Sequence, residues 1–232
     1  MSDHFSWYSL LPGVDHHNVY VVGSAAVSAG VILFSLAARL ALGTGEAAIA
    51  PSGHVGLKGL CEVLVEFIDD LARSVIGDHG RIFVPLFGSM FLYILLNNLV
   101  GLFPGMLTAT SNINAAFSIG LFSFVTYNLL GLKENGVKYL AHFLGPVWWL
   151  AWLMLPIELI SHCVRPLSLG MRLSVNMTAD HLVLGTFLDL IPIYIPIPVI
   201  FYGLGTFVSF VQAFVFTLLS MVYVMMATSH DH

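Results

Sequence analysis

The sequence carries little charge. Aspartate, glutamate, lysine and arginine make up 9% of its 232 residues, whereas apolar residues make up 58%. A soluble domain has about a quarter charged residues, because its surface must face water. The composition therefore excludes a soluble domain and predicts an all-α membrane protein.

The sequence also lacks the motifs of several enzyme classes. It contains no GxSxG, Walker A or dinucleotide-binding glycine pattern, so hydrolase and nucleotide chemistry have no site on this chain. Ten histidines are present, but no HExxH motif arranges them for a metal. Two cysteines and a net charge of -5 indicate neither a disulfide framework nor a nucleic-acid partner. We expect no cofactor and no metal ion.

Long apolar runs are present instead. About 20 helical residues cross the roughly 30 Å of hydrocarbon in a bilayer. Residues 19–42, 82–103, 113–132 and 199–227 are long enough, and 147–188 is about twice as long. The longest run must tilt, break or follow the surface, and the proline-rich residues 191–199 then turn the chain back. We predict one membrane domain over 1–232 with about five membrane helices, the last two forming a long tilted hairpin.

Residues 58–77 have a different pattern. Leu60, Leu64, Phe67 and Leu71 recur at helical spacing, and charged residues such as Glu66 lie elsewhere around the turn. This pattern is typical of an amphipathic helix at the membrane interface.

The basic residues predict the orientation. Six of the eight lie at or between span ends on one side, namely Arg39, Lys58, Arg73, Arg81, Lys133 and Lys138. Lysine and arginine concentrate in cytoplasmic loops. We therefore place the N-terminus outside and the C-terminus in the cytoplasm.

The longest apolar run contains Arg172, which needs an anionic partner. A guanidinium stays protonated and costs at least about 3 kcal/mol at the centre of a membrane helix. On the same helix, Asp180 and Glu158 lie about 12 and 21 Å from Arg172 along the axis, and the four other spans contain no acidic residue. We infer that the carboxylate partner of Arg172 belongs to another chain.

Polar residues continue from Arg172 along one helical face. Ser168, Arg172, Asn176 and Asp180 are spaced by four, which moves each about 40° around the helix, and His181 follows. The remaining titratable residues are Glu158, His162 and Arg165 on the predicted cytoplasmic side and Asp189 on the outer side. For His162 and Asp189, a hydrogen-bonded core role is an equal alternative to a functional one.

The next helix contributes Gly205, Ser209 and Gln212 on one face. Small residues let helices approach closely, and the Gln212 amide can donate a hydrogen bond to a neighbouring helix. Such a face often serves packing alone, but opposite the stripe around Arg172 we favour a functional role. A self-contained ion channel or secondary transporter is the alternative function, since intramembrane charges mark ion paths, although the inverted repeat expected of many transporters is missing.

Five sequence elements resemble the subunit a family of F-type ATP synthases. They are LLNNLVGLFPG (95–105), TSNIN (110–114), PIEL (156–159), PLSLGMRLSVNMTADHL (166–182) and VQAFVFTLLSMVY (211–223). The SLGxRL…NM element, followed by QAFVF on the next helix, is specific to that family. The resemblance covers nearly everything after residue 65.

This resemblance implies the membrane stator of a rotary motor. In the family, the matching arginine faces the carboxylate of a rotating ring of c subunits, which implies the same for Arg172. Asn176 and Gln212 match positions beside that arginine, and Glu158 and Ser168 match the cytoplasmic proton path. The implied function is proton translocation through two offset half-channels separated by Arg172, within a complex that turns over ATP on other chains.

Two positions depart from the family's pattern. Asp180 and His181 stand where many relatives have glycine and glutamate, and Gly205 stands where several have histidine or glutamate. The residues that we expect along the proton uptake path are Asn176, Asp180, His181 and Gln212, and those along the release path are Glu158, Ser168 and His162. The implied partners are the c-subunit ring, subunit b of the peripheral stalk, the F1 sector and the lipid bilayer. The similarity to bacterial subunits implies a bacterial inner membrane.

Overall fold

The computed structural model describes residues 19–42, 56–103, 106, 109–136, 151–190 and 197–228. All regular elements in these ranges are helical. The α-helices are α1 (Val19–Leu42), α2 (Leu57–Ile76), α3 (Val84–Gly101), α4 (Ile113–Asn135), α5 (Ala151–Leu190) and α6 (Ile197–Thr228). Short 3-10 helices, Asp78–Phe83 and Ala109–Ser111, precede α3 and α4.

Four segments of the described chain are long and apolar enough to cross a membrane. They are Val19–Leu40, Asp78–Gly101, Ile113–Glu134 and Val199–Thr228. Their presence confirms the prediction of an all-α membrane protein. The 40-residue helix α5 is not among them, because a charged residue recurs along it every two turns or so. It also runs unbroken through Pro156 and Pro166, so of the three options for this segment, a break at these prolines does not occur.

Contacts divide the chain into two compact units. The first extends to Ala109 and includes Thr206–Leu218, and the second comprises Thr110–Gly205 and the chain from Leu219 onward. The long helix α6 therefore contributes its middle to the first unit and both of its ends to the second.

In the first unit, helix α2 uses its apolar face to cover α3. Ile68 and Ala72 are fully buried on that face, and the ring of Phe67 lies 6.0 Å from those of both Phe91 and Phe214. A sharp turn then leads into α3. Gly77 provides it with a φ of +88°, a conformation that other residues rarely adopt.

In the second unit, α4 and α5 approach each other through glycines. A Cβ atom on Gly120 would lie 2.6 Å from the carbonyl oxygen of Pro166, and one on Gly170 would lie 2.8 Å from the Cα of Phe117. No side chain larger than hydrogen fits such a contact without a shift. Small residues of this kind allow close helix packing in membranes, where no hydrophobic force draws helices together.

The second unit also pairs α5 with both ends of α6. The rings of Phe187 and Phe201 stack with centroids 4.1 Å apart, and the guanidinium of Arg165 lies 5.2 Å from the centroid of the Tyr223 ring. Phe187 and Phe201 lie near the end of α5 and the start of α6, whereas Arg165 lies earlier in α5 and Tyr223 lies later in α6. The two helices are therefore antiparallel, as the sequence predicts.

Candidate functional site

Arg172 lies on the exposed side of α5. Its neighbours Met171 and Val175 are 46% and 56% exposed, whereas Leu169 and Leu173 on the opposite side are buried. Within the described part of the chain, Arg172 forms no ion pair. The fold thus presents a guanidinium among apolar side chains on a surface that is open to another molecule.

The polar stripe turns from this exposed surface toward the packed side of α5. Arg172 is exposed, whereas Asn176 and Asp180 are half-buried. The cause is the spacing of four residues, which exceeds the helical repeat of 3.6 and turns the stripe slowly around the axis. His181, next to Asp180, is also half-buried. The carboxylate of Asp180, within the stripe, and the imidazole of His181, beside it, therefore lie one to two turns beyond Asn176.

On the other side of Arg172, the polar residues have local partners. The hydroxyl of Ser168 is half-buried and donates to the carbonyl oxygen of Arg165 at 2.9 Å. Glu158 is half-buried near the start of the helix. Along the helix axis, Ser168 lies about 6 Å from Arg172 and Glu158 about 21 Å at 1.5 Å per residue.

His162 is 7% exposed and belongs to a hydrogen-bonded cluster between α4 and α5. Its Nε2–H donates to Oδ1 of Asn128 at 2.9 Å, and the hydroxyl of Tyr127 lies 3.3 Å from the same nitrogen. The Asn128 amide nitrogen in turn donates to the carbonyl of Phe124 at 2.8 Å, which orients its oxygen toward the imidazole. The ring of Phe124 completes the enclosure at 5.2 Å from the imidazole.

The three predicted residues of α6 are all buried. Ser209 and Gln212 belong to the first unit, and Gly205 belongs to the second. Burial of the Gln212 amide in an apolar helix costs free energy unless the amide forms a hydrogen bond with another polar group. The predicted approach of Gln212 to the stripe around Arg172 stays a prediction.

The structure adds residues that the sequence analysis does not single out. Tyr127 and Asn128 hold His162, Tyr223 lies beneath Arg165, and Ser123 and Ser220 share a buried hydrogen bond of 2.8 Å. Ser123 and Tyr127 are four residues apart, so the sequence shows a polar face on α4, but it does not show which residues contact that face.

The side chain of Asp189 lies outside the described residues. Among the described side chains, no cluster of histidine, cysteine or acidic residues is arranged to hold a metal ion.

The chain is similar to a well-defined set of bacterial proteins. A family model described as ATP synthase A chain matches residues 22–225. A protein of Bdellovibrio bacteriovorus named ATP synthase subunit a is 52% identical over 229 residues, covering 98% of this chain and 99% of its own. ATP synthase subunit a 1 of Syntrophotalea carbinolica is 38% identical over 230 residues, covering 99% and 95%. A subunit a of Trichlorobacter lovleyi is 41% identical over 202 residues, covering 87% and 84%.

Proposed function

This chain belongs to the ATP synthase A chain family, and from that premise we propose that it is the proton-translocating stator subunit of a rotary F-type ATP synthase in a bacterial inner membrane. The observation that carries the proposal is Arg172, an exposed guanidinium on a helix that buries its opposite side. A membrane protein retains such a charge where a partner supplies the opposite one. The proposed partner is a carboxylate of the c-subunit ring.

The surface around Arg172 fits a membrane-embedded partner. Leu167, Met171, Val175 and Leu182 are all exposed large apolar side chains on the same side of α5. Between Leu167 and Leu182, Arg172 is the one exposed charged side chain that the structure describes. A ring of helices whose outer surface is apolar except for one carboxylate per subunit would match it in both respects.

Arg172 acts through its charge and carries no proton itself, because a guanidinium does not deprotonate in proteins. A cation nearby favours the ionised form of a carboxylate and lowers its proton affinity. A ring carboxylate that approaches Arg172 therefore releases its proton before it passes. After it has moved on, it binds a new proton from the other side of the membrane.

The proton uptake path in this proposal runs along Asn176, Asp180, His181 and Gln212, and the release path passes Ser168, Glu158 and His162. Asp180 and His181 are half-buried within the apolar run 147–188, which supports the first path, because ionisable residues within membrane segments are usually functional. Arg172 lies between the two groups in sequence. Its fixed charge repels a proton that would cross directly from one path to the other.

The separation of the two paths has an energetic purpose. A charge that crosses a potential of about 100 mV releases about 2.3 kcal/mol. Several such steps must be added for each ATP made elsewhere in the complex. A direct leak would release the same energy without turning the ring. Subunit b and the F1 sector are the further partners that this role requires.

Replacing Arg172 by alanine tests the proposal. We expect Arg172→Ala to reduce proton-driven ATP synthesis and ATP-driven proton pumping in membrane vesicles to background, because a ring carboxylate then loses the cation that favours its ionised form. Arg165→Ala is the matched control, since it removes the same charge from the same helix at a position that contacts Tyr223 instead.

Near-normal coupling in the Arg172→Ala vesicles would contradict the proposal. A self-contained channel or transporter is distinguished by reconstitution. Sustained proton flux through the purified chain in liposomes, with no other subunit present, would favour that alternative.

A further inference from the structure

A groove of about 580 Å³ lies in the first unit, between α2 and the start of α3. Its walls include the side chains of Val65, Val84 and Pro85. The volume is within the range of about 300 to 1,000 Å³ that is usual for small-molecule sites. The groove therefore has room for a ligand with a substantial apolar part.

The groove lies at one end of a membrane span. The apolar segment that contains α3 begins at Asp78, and α2 is amphipathic, with Ile68 and Ala72 on its buried face. Headgroups and acyl chains meet at this depth of a bilayer. Lipid acyl chains are therefore the most abundant apolar groups around the groove.

Charges of both signs line the same groove. Glu62, Glu66 and Asp69 come from α2, and Arg81 comes from the turn before α3. The side chain of Arg81 is 69% exposed, and its Nε lies 3.6 Å from Oδ1 of Asp69, so most of the guanidinium remains open. Within the described part of the chain, Glu66 forms no ion pair.

The charge balance of α2 selects among headgroups. Interfacial helices that bind anionic lipids are rich in lysine and arginine. Helix α2 has the opposite balance. Its basic residues are Lys58 and Arg73, and its acidic residues are Glu62, Glu66, Asp69 and Asp70. A headgroup with net negative charge is therefore disfavoured, and one that also carries a cation is favoured.

We propose that this groove binds one aminophospholipid, with an acyl chain along Val65, Val84 and Pro85, the phosphate at Arg81 and the primary ammonium at Glu66. A guanidinium binds phosphate oxygens through paired N–H donors. A primary ammonium pairs with a carboxylate through opposite charge as well as hydrogen bonds, whereas the hydroxyls of a phosphatidylglycerol headgroup donate hydrogen bonds but carry no positive charge. The bound lipid joins α2 to α3 and adds to the direct contact between the two helices.

The test uses the full chain, extracted in mild detergent with its associated subunits and placed in nanodiscs of equal amounts of phosphatidylethanolamine and phosphatidylglycerol. Lipids that remain after re-extraction are counted by native mass spectrometry. Val65→Trp fills the groove, and Val63→Trp is the matched control, because Val63 is 68% exposed on the same helix and does not line the groove. We expect Val65→Trp to lose one retained phosphatidylethanolamine and Val63→Trp to keep it.

Glu66→Gln preserves the shape of the groove and removes the charge. We expect it to weaken the preference for phosphatidylethanolamine over phosphatidylglycerol about tenfold, as the loss of one charge-assisted hydrogen bond predicts. Equal retention of the two lipids by the unsubstituted protein would overturn the proposal. So would an unchanged phosphatidylethanolamine count in Val65→Trp.

The thiol of Cys61 gives an independent measurement, because it lines the groove and is buried. Burial raises its pKa, so its alkylation is slow to begin with. In a Cys163→Ser background, we expect delipidation to accelerate alkylation of Cys61 by N-ethylmaleimide, and added phosphatidylethanolamine to slow it again. If phosphatidylglycerol protected Cys61 from alkylation and phosphatidylethanolamine did not, the result would contradict the proposed headgroup.

Discussion

Two titratable side chains of α5 illustrate two ways to place a polar group in an apolar helix. His162 is enclosed between α4 and α5, where its Nε2 meets Asn128 and Tyr127. Arg172 is exposed and forms no ion pair with the described residues. A neutral imidazole can satisfy its hydrogen bonds within one chain, whereas a permanent cation requires an opposite charge. His162 therefore forms its hydrogen bonds within the subunit, and an external partner for Arg172 stays our proposal.

Substitutions of His162 separate its structural role from proton transfer. We expect His162→Leu to lower the free energy of unfolding by about 1 to 3 kcal/mol, because it removes the N–H that donates to Asn128. His162→Gln retains an N–H donor and should recover most of that stability. Thermal unfolding of the two variants in detergent, followed by the fluorescence of the tryptophans, measures the difference.

The same glutamine variant tests the release path. An amide does not titrate between pH 5 and 9, so His162→Gln should slow proton-driven ATP synthesis if protons pass through the imidazole. Synthesis at the unsubstituted rate in a stable His162→Gln protein would remove His162 from the path and leave it the structural role alone.

The sequence predicts an external acid for Arg172, and that stays a prediction, whereas it does not specify the surroundings of His162. The cost of a cation within a membrane helix is a property of the residue itself, so this prediction needs no coordinates. The partners of His162 lie 34 and 35 residues earlier on another helix. Their contact depends on how α4 and α5 pack, and helical periodicity does not specify that packing.

At the scale of helices, the contact between α4 and α5 depends on Gly120 and Gly170. We expect Gly170→Ala to destabilise the subunit by about 1 to 3 kcal/mol, because its Cβ would lie 2.8 Å from the Cα of Phe117 and force the backbones apart. Gly185→Ala is the control on the same helix, since a Cβ there meets no atom within 4 Å.

Alanine favours helix over glycine by about 1 kcal/mol in an open position. Gly185→Ala should therefore leave the melting temperature of the detergent-solubilised subunit unchanged or raise it. Equal melting temperatures for the two alanine variants would show that the close approach at Gly170 contributes nothing to stability.

The helices themselves follow from the sequence more fully than their contacts do. Hydropathy predicts residues 19–42 and 113–132, and the structure has Val19–Leu42 and Ile113–Asn135. The segment expected at 82–103 differs at its start, where a 3-10 helix over Asp78–Phe83 precedes α3. Gly77 sets this turn through its positive φ. In a sequence, a glycine marks a possible turn but not its geometry.

At the scale of the whole molecule, the distribution of basic residues predicts which ends face the cytoplasm. We expect Phe103→Cys, an exposed position after α3, to react with a membrane-impermeant maleimide in intact cells whose outer membrane has been permeabilised. Lys133→Cys, an exposed position near the end of α4, should react only in inverted vesicles. Cys61 and Cys163 are replaced by serine in both variants.

The reverse pattern of labelling would place the N-terminus in the cytoplasm and exchange the two proton paths. Composition alone establishes the membrane class, because 9% charged residues cannot solvate a globular surface. Orientation requires the positions of those few charges. The approach of Gln212 to Arg172 requires the arrangement of α6 against α5, which neither composition nor periodicity provides.

The glycine contact between α4 and α5 also has a mechanical consequence. Where backbone meets backbone, no side chain is available to change rotamer and absorb a sideways load. In the proposed motor, the rotating ring exerts a lateral force on α5, the helix that carries Arg172. This force passes from α5 to α4 through the close contacts at Gly120 and Gly170. The resistance of α5 to lateral displacement therefore depends on two residues that have no side chain.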